Sequence, residues 1–399
     1  MENKITTKDK VQNFDNNIQK NELLNIKSKY ILLKIFDNII KKKKLEIIKY
    51  NKKMQKRFNF SLKDYKEYSE KWSSIELEIN MEQNTFGKFI NINEDDKLFY
   101  HIYFNDNKEE IKNKYTINEE DKITKIKIII DYQVNSFKKL FLNCKNIKSI
   151  NFKKFKRNNI KNMSFMFYYC WSLKELNLSN FNTEKVKDMS YMFDDCSSLK
   201  ELNLSNFNTK NVEDLSSMFY NCSSLKQLNL SNFNTKNVED MSSMFYNCSS
   251  IKQLNLSNFN TEKVKDMSSM FYNCSSLKEL NLSNFNTENV IRVIEMFAGC
   301  SSLKELDLSN FYLSKIKYTH KMFYSCSSLE KLYLFYFNTY RIEDMGYMFY
   351  NCSSLKKLDI SNFDFNNVMF ISYMFSGCSQ ELKNNIISQN KNIKDIAFH

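Results

Sequence analysis

The chain predicts an α/β solenoid: a stack of 26-residue turns, each one short strand plus one short helix, carried behind a small N-terminal α+β domain. Three observations predict it. All ten cysteines fall on one grid, from Cys144 to Cys378 in nine intervals of 26 with no slip, and a fixed period of that size marks one supersecondary unit stacked on copies of itself. Within each period the apolar spacing switches from helix-like to strand-like. Before residue 120 there is neither a cysteine nor the period.

Taken in order, residues 1–20 read "MENKITTKDKVQNFDNNIQK", with no apolar core and no small-residue cleavage site, so they are expected to be a disordered polar tail rather than an export signal. No run approaches the roughly 18 apolar residues of a membrane span. The expectation is a cytoplasmic protein, with the cell surface by unconventional export as the alternative. Residues 21–120 form the α+β head. "ILLKIFDNII", "KLEIIKYNKKM" and "SLKDYKEYSEKW" read as helices, the last opening on Ser61 as N-cap, and "SIELEIN", "GKFINI" and "KLFYHIYF" read as strands, with Tyr100, Ile102 and Phe104 on one face. Residues 121–143, with "ITKIKIIIDYQV", are the N-terminal cap of the array.

The array spans 144–378. Around Cys222, residues Leu215, Met218, Phe219, Cys222 and Leu225 are spaced 3, 1, 3 and 3, which predicts a helix face, with Asp214 and Asp240 placed as N-caps. Leu228 and Leu230, two apart, predict a short strand, followed by Phe233 and Val238. Beyond Cys378 the grid fails, Glu381 holding the inward leucine position, so residues 379–399 are expected to close the core as a helical cap.

Starting from Leu225 the unit reads Leu-x-x-Leu-x-Leu-x-x-Phe, the leucine-rich repeat pattern with Phe where many members carry Asn or Cys. The stretch "LSSMFYNCSSLKQLNLSNFNTKNVED", Leu215 to Asp240, resembles the BspA-like leucine-rich repeat surface-protein family, and the resemblance runs from about Val134 to Cys378. It implies a leucine-rich repeat solenoid acting as a non-enzymatic binding or adhesion module. In the head, "YILLKIFDNIIKKKKLEIIKYN" loosely resembles an F-box without its usual opening proline, which implies docking to a ubiquitin-ligase adaptor.

Charge is uneven. Residues 1–60 hold 16 Lys/Arg against 6 Asp/Glu, and 16 minus 6 gives +10 of the chain's +13, so the repeats are too balanced for a nucleic-acid groove. The basic run from Lys41 is a candidate contact for anionic lipid or nucleic acid; its plainer reading is a solvated helix face.

Chemistry finds little foothold. There is no C-x-x-C pair, and the histidines are His101, His320 and His399, so no zinc spacing and no cofactor is expected. Ten cysteines in one phase read as a ladder of small buried thiols. Met241, Met244, Met267 and Met270 read as core, and four glycines cannot build a phosphate-cradling loop.

The strand face is the expected working surface. Its outward positions repeat as Glu175, Asn177, Ser179, then Glu201, Asn203, Ser205, then Gln227, Asn229, Ser231. After Cys326 the pattern breaks: Tyr333 and Phe335 replace Asn and Ser, and Tyr336 replaces Asn, with Asp307 and Asp359 in the adjoining copies and Lys331 and Lys357 beside them. Aromatic anchors with a charged rim are the makings of a binding hot spot. The expected function is a non-enzymatic leucine-rich repeat protein that binds a protein, glycan or filament there. A ubiquitin-ligase substrate receptor and a surface adhesin are the alternatives.

Overall fold

The computed structural model describes residues 52–57, 61–391, 393 and 395–399, which divide into two compact units, Met1–Ser73 and Ser74–His399. In the first, α1 (Lys52–Arg57) and α2 (Leu62–Trp72) are described. Ser61 opens α2 as read from sequence. Its backbone N–H donates to Asp64 Oδ2 at 2.7 Å, and the Asp64 N–H donates back to Ser61 Oγ at 3.4 Å, so two donors orphaned at the helix start are satisfied reciprocally. The 1–20 tail, the F-box-like segment and the basic run up to residue 51 lie outside the described residues.

The second unit begins with strands that alternate in burial. In β1 (Ile75–Met81) residues Ile75, Leu77, Ile79 and Met81 face inward, and in β5 (Lys125–Ile130) residues Ile126, Ile128 and Ile130 do. A period of two puts one apolar face on the core. β2 (Gly87–Lys88) pairs with β4 (Thr116–Ile117), and β3 (Tyr100–Phe104) pairs antiparallel with β5. β1 lies antiparallel between β5 and β6 (Ile147–Lys154), with Leu77 opposite Ile128 on one side and Phe152 on the other. β6 in turn pairs parallel with β7 (Glu175–Asn177), so five strands in the order β3-β5-β1-β6-β7 form one sheet. Position 120 falls between β4 and β5, inside this unit, and the sheet carries the head strands straight into the first repeats.

From β7 onward the successive 26-residue rungs contribute strands of two or three residues, β8 (Glu201–Leu202), β9 (Gln227–Leu228), β10 (Gln253–Leu254), β11 (Glu279–Leu280), β12 (Glu305–Asp307) and β13 (Lys331–Tyr333), and the rung after Cys352 forms none. Partners are parallel and offset by 26, as Gln253 is to Glu279.

The predicted helix of each rung is absent; no α-helix lies between α2 and residue 380 among the described residues. Where the spacing of Leu215 to Leu225 predicted a helix, the backbone forms a second parallel ladder. The N–H groups of Leu215, Ser217, Phe219 and Asn221 donate forward to the carbonyls of Asp240, Ser242, Met244 and Tyr246 at 2.7–3.1 Å, while Met218, Tyr220 and Cys222 donate back three residues. Ser217 and Asn221 sit at φ 53° and 52°, and the same two positions recur in the left-handed region around the array. Two left-handed residues four positions apart in each rung turn the chain so that side chains at spacing 3 and 4 still face inward, which mimics the helix signature. Each costs about 1–2 kcal/mol in an L-residue; the forward bonds, at a net 0.5–1.5 kcal/mol each, offset it. Gly299 and Gly377, at φ 75° and 72°, occupy the same column as Asn221. The aspartates expected to cap helices cap turns instead, Asp214 Oδ1 accepting from the Ser216 N–H at 2.8 Å. The described residues are therefore repeated units, mostly strand and turn with few helices, and the strands close no barrel.

The interior is a set of ladders. Phe167, Phe193, Phe219, Phe245, Phe271, Phe297 and Phe323 stack at 5.5–5.8 Å. Cys144 to Cys352 are buried and free and Cys378 is half-buried; from Cys170 onward each thiol donates to the carbonyl of the phenylalanine 29 residues before it, as Cys222 Sγ does to Phe193 O at 3.1 Å. At the C-terminal end α3 (Gln380–Gln389) starts on Ser379, whose side chain accepts from the Leu382 N–H, and buries Leu382 and Ile386. Its Asn385 Oδ1 accepts from the Leu358 N–H and its Gln389 Oε1 from the Ile360 N–H. The tail adds one last partial rung, Phe375 N–H donating to Ala397 O at 2.7 Å and the Phe375 ring stacking on Phe398.

Candidate functional site

The repeated polar residues of the strand face hold the rungs together. Asn232 Nδ2 donates to Leu204 O at 3.1 Å and Phe207 O at 2.6 Å in the preceding rung, and Asn206, Asn258, Asn284 and Asn310 repeat the arrangement. Thr235, fully buried, donates its hydroxyl to Asn260 O and accepts the Asn260 N–H, both at 2.8 Å. Asn229 Oδ1 accepts the Ser231 N–H at 3.0 Å, closing the turn after its strand. The sameness of this face therefore has a structural cause. Leaving one such buried partner unpaired costs about 1–3 kcal/mol.

One interface gives up both side-chain clamps. Between the rungs of β12 and β13, Tyr336 stands in the Asn column and Leu313 in the Thr column. Backbone replaces them in part. The two strands pair over three residues, Glu305 with Lys331, Leu306 with Leu332 and Asp307 with Tyr333, and the Leu308 N–H donates to Tyr333 O at 2.9 Å.

At this interface the sequence-predicted aromatics stand in solvent: Tyr333 is 45% exposed, Phe335 65% and Tyr336 50%, so the C-terminal cap does not cover them. Phe335 meets Tyr336 edge-on at 4.7 Å, and Tyr336 stacks on Tyr312 at 5.2 Å. Lys331 Nζ lies 3.2 Å from Glu305, whose carboxylate raises the lysine pKa. Asp307 is opposite Tyr333, but its Oδ1 already accepts the Ser309 N–H at 2.9 Å. Asp359 does the same for Ser361, and those bonds hold its carboxyl below the usual range. The two aspartates thus keep the turn-closing role of Asn and leave one oxygen each for the rim. Asp359 and Lys357 sit one rung beyond the aromatics, joined to them through Asn362 Nδ2, which donates to Phe335 O at 2.7 Å.

Tyr312 was missed in the sequence although the signal was there: it departs from the Asn of its own column, occupied elsewhere by Asn208, Asn234, Asn260 and Asn286. It lines, with Tyr336, Asp307, Glu305, Lys304 and Lys278, a groove of about 1130 Å³ on the strand face. A second groove of about 910 Å³ shares Lys278 and runs on over the rungs of β9 and β10.

The thiols offer no nucleophile here, because burial pushes them up, Cys170, Cys274 and Cys326 to about 12. Among the described residues no group of three or more His, Cys, Asp or Glu is placed to hold a metal ion, and no helix is long and apolar enough to cross a membrane.

No curated protein matches the chain in a sequence search. A family profile matches three times in tandem, over residues 135–255, 252–334 and 307–397. Those matches cover the rungs and the C-terminal cap, and the chain belongs to the family described as "Mycoplasma protein of unknown function, DUF285".

Proposed function

We propose that this chain is a non-enzymatic, BspA-like leucine-rich repeat solenoid that binds a protein partner through its strand face, anchored by Phe335, Tyr336, Tyr333 and Tyr312. One observation carries the reading: the interface that surrenders two inter-rung clamps is the one that exposes four aromatic side chains beside a groove. Large aromatics that are rigid, adjacent and solvent-facing are the residues that dominate binding energy when a partner desolvates them. The Lys331–Glu305 pair and the free oxygens of Asp307 and Asp359 supply the polar rim. Free thiols throughout the array fit a reducing, cytoplasmic compartment.

Site-specific photo-cross-linking in the producing cell tests this. A photoreactive residue at position 335 is expected to capture a discrete protein adduct, and the same residue at position 231, on a clamped rung of the same face, is not. Equal adducts at both positions, or none at 335, overturn the reading.

A further inference from the structure

One column of the strand face keeps the same charge over five rungs. Lys200, Lys226, Lys252, Lys278 and Lys304 each stand immediately before the strand of their rung, and all five are exposed. Neighbours in the column touch through the backbone, the Lys226 N–H donating to Lys200 O and the Lys278 N–H to Lys252 O, both at 3.1 Å. Their side chains therefore recur about every 4.8 Å. The outer ladder treats the same proximity differently. There residues 26 apart carry opposite signs and pair, Lys187 with Glu213 at 2.8 Å, Lys265 with Glu239 at 2.6 Å and Lys317 with Glu343 at 2.6 Å. Like charges side by side repel instead.

Copies of the column nearer the ends of the array are neutralised, and by carboxylates from outside the rungs. Lys174 Nζ lies 2.7 Å from Glu82, just after β1, and its hydrogen bond holds that carboxyl below the usual range. Beyond Glu330, which interrupts the column, Lys356 Nζ lies 4.0 Å from Glu381 of α3. None of the five lysines between forms an ion pair among the described residues. The flank is least acidic at the middle, where Gln227 and Gln253 stand in the column that holds Glu201, Glu279 and Glu305. Lys226, Lys252 and Lys278 line the groove of about 910 Å³, and Lys278 and Lys304 line the groove beside Tyr312 and Tyr336. No aromatic ring lines the first of these, which removes the stacking platform that a single-stranded nucleic acid uses.

The complement is a row of carboxylates, and spacing selects its form. On one face of an α-helix they recur about every 5.4 Å, and on one face of an extended strand about every 6.8 Å. Over the four intervals from Lys200 to Lys304 the helix drifts about 2–3 Å against the lysines and the strand about 8 Å. A flexible four-carbon stem absorbs the first drift and not the second.

We propose that the column from Lys200 to Lys304 binds a helix of the protein partner that carries one carboxylate per turn, laid along the edge where the chain enters its strands and pointing towards Tyr312 and Tyr336. This rests on the strand face being the partner-binding face and names the partner's chemistry. The lysines precede the strands, whereas Ser231 lies in the turn that follows one.

The probe is a fluorescently labelled peptide of about 20 residues, Ala and Gln with Glu at alternating spacings of three and four, which puts the carboxylates in one helical stripe. Its control has the same composition with the glutamates dispersed around the helix. Anisotropy titration of the full chain is expected to show saturable binding of the striped peptide, at least tenfold tighter than of the dispersed one. The combined variant Lys226→Gln, Lys252→Gln, Lys278→Gln should weaken it at least tenfold, and so should about 1 M salt, where the Debye length is about 3 Å. The combined variant Lys187→Gln, Lys265→Gln, Lys317→Gln removes the same charge from the outer ladder and should bind as the wild type does; circular dichroism confirms that both variants fold. The basic residues before position 60 are present in every protein compared, so a loss confined to the first variant reports the column. No saturable binding, undiminished binding by the first variant, equal binding of the dispersed peptide, or equal competition by oligo(dT) overturns the proposal. The probe carries no side chain suited to the aromatics, so its failure leaves an adduct at position 335 standing, and absence of that adduct leaves the titration standing.

Discussion

Between the rungs at Leu228 and Leu254 the strand-side edge is tied by side chains, the Asn258 amide on two carbonyls and Thr235 on both backbone groups of Asn260. Between Leu306 and Leu332 neither tie exists, the strands pair over a longer stretch, and four aromatics face solvent. The phenylalanine and cysteine ladders run through both interfaces alike. The inward columns set the architecture, and the outward polar columns can be given up locally without interrupting it. Where they are given up, the face changes from a self-satisfied polar surface to one with unburied aromatic area.

The largest disturbance treats both interfaces equally by uncapping the array. Truncation after Cys378 removes α3 and the tail, exposing Phe375 and discarding the buried Leu382, Ile386 and Phe398. At about 1.5–3 kcal/mol per apolar side chain, on the order of 10 kcal/mol of burial is lost. Because rungs contact only their neighbours, the last rungs are expected to melt separately. A calorimetric trace with a new low-temperature transition supports this, and an unchanged single transition speaks against the cap.

A smaller change makes the clamped interface resemble the unclamped one. Thr235→Val keeps the shape but leaves the Asn260 N–H without its acceptor, which should cost about 1–3 kcal/mol. Hydrogen exchange at the Asn260 amide should accelerate at least tenfold while the amides around Phe141 hold. Unchanged exchange would mean that the Thr column contributes nothing to stacking.

Much of this was legible in the sequence because a period of 26 multiplies every signal. The phase of the cysteines, the inward leucines, the cap at Ser61 and the exposure of Tyr333, Phe335 and Tyr336 follow from pattern alone. The helix did not follow, because Leu215, Met218, Phe219 and Cys222 have helical spacing in a backbone whose direction is set by left-handed Ser217 and Asn221 and by bonds to the next rung. Spacing reports which side chains face inward, not which carbonyl each N–H finds. The clamping roles of Asn232 and Thr235 were hidden for the same reason, since their partners lie 25 to 28 residues away. Tyr312 was readable as a column departure, yet its contact with Tyr336 required the stacked geometry.

The most direct measurement restores the consensus at the exceptional rung. In Tyr333→Asn, Phe335→Ser, Tyr336→Asn, the amide at 336 should regain the carbonyls of Leu308 and Phe311, as Asn310 holds those of Leu282 and Phe285. Stability should rise by about 0.5–1.5 kcal/mol. Affinity for the partner captured at position 335 should fall at least tenfold, about 1.4 kcal/mol. A variant that melts earlier while binding its partner normally would contradict the account: the aromatics would then be holding the rungs together, and the binding surface would lie elsewhere.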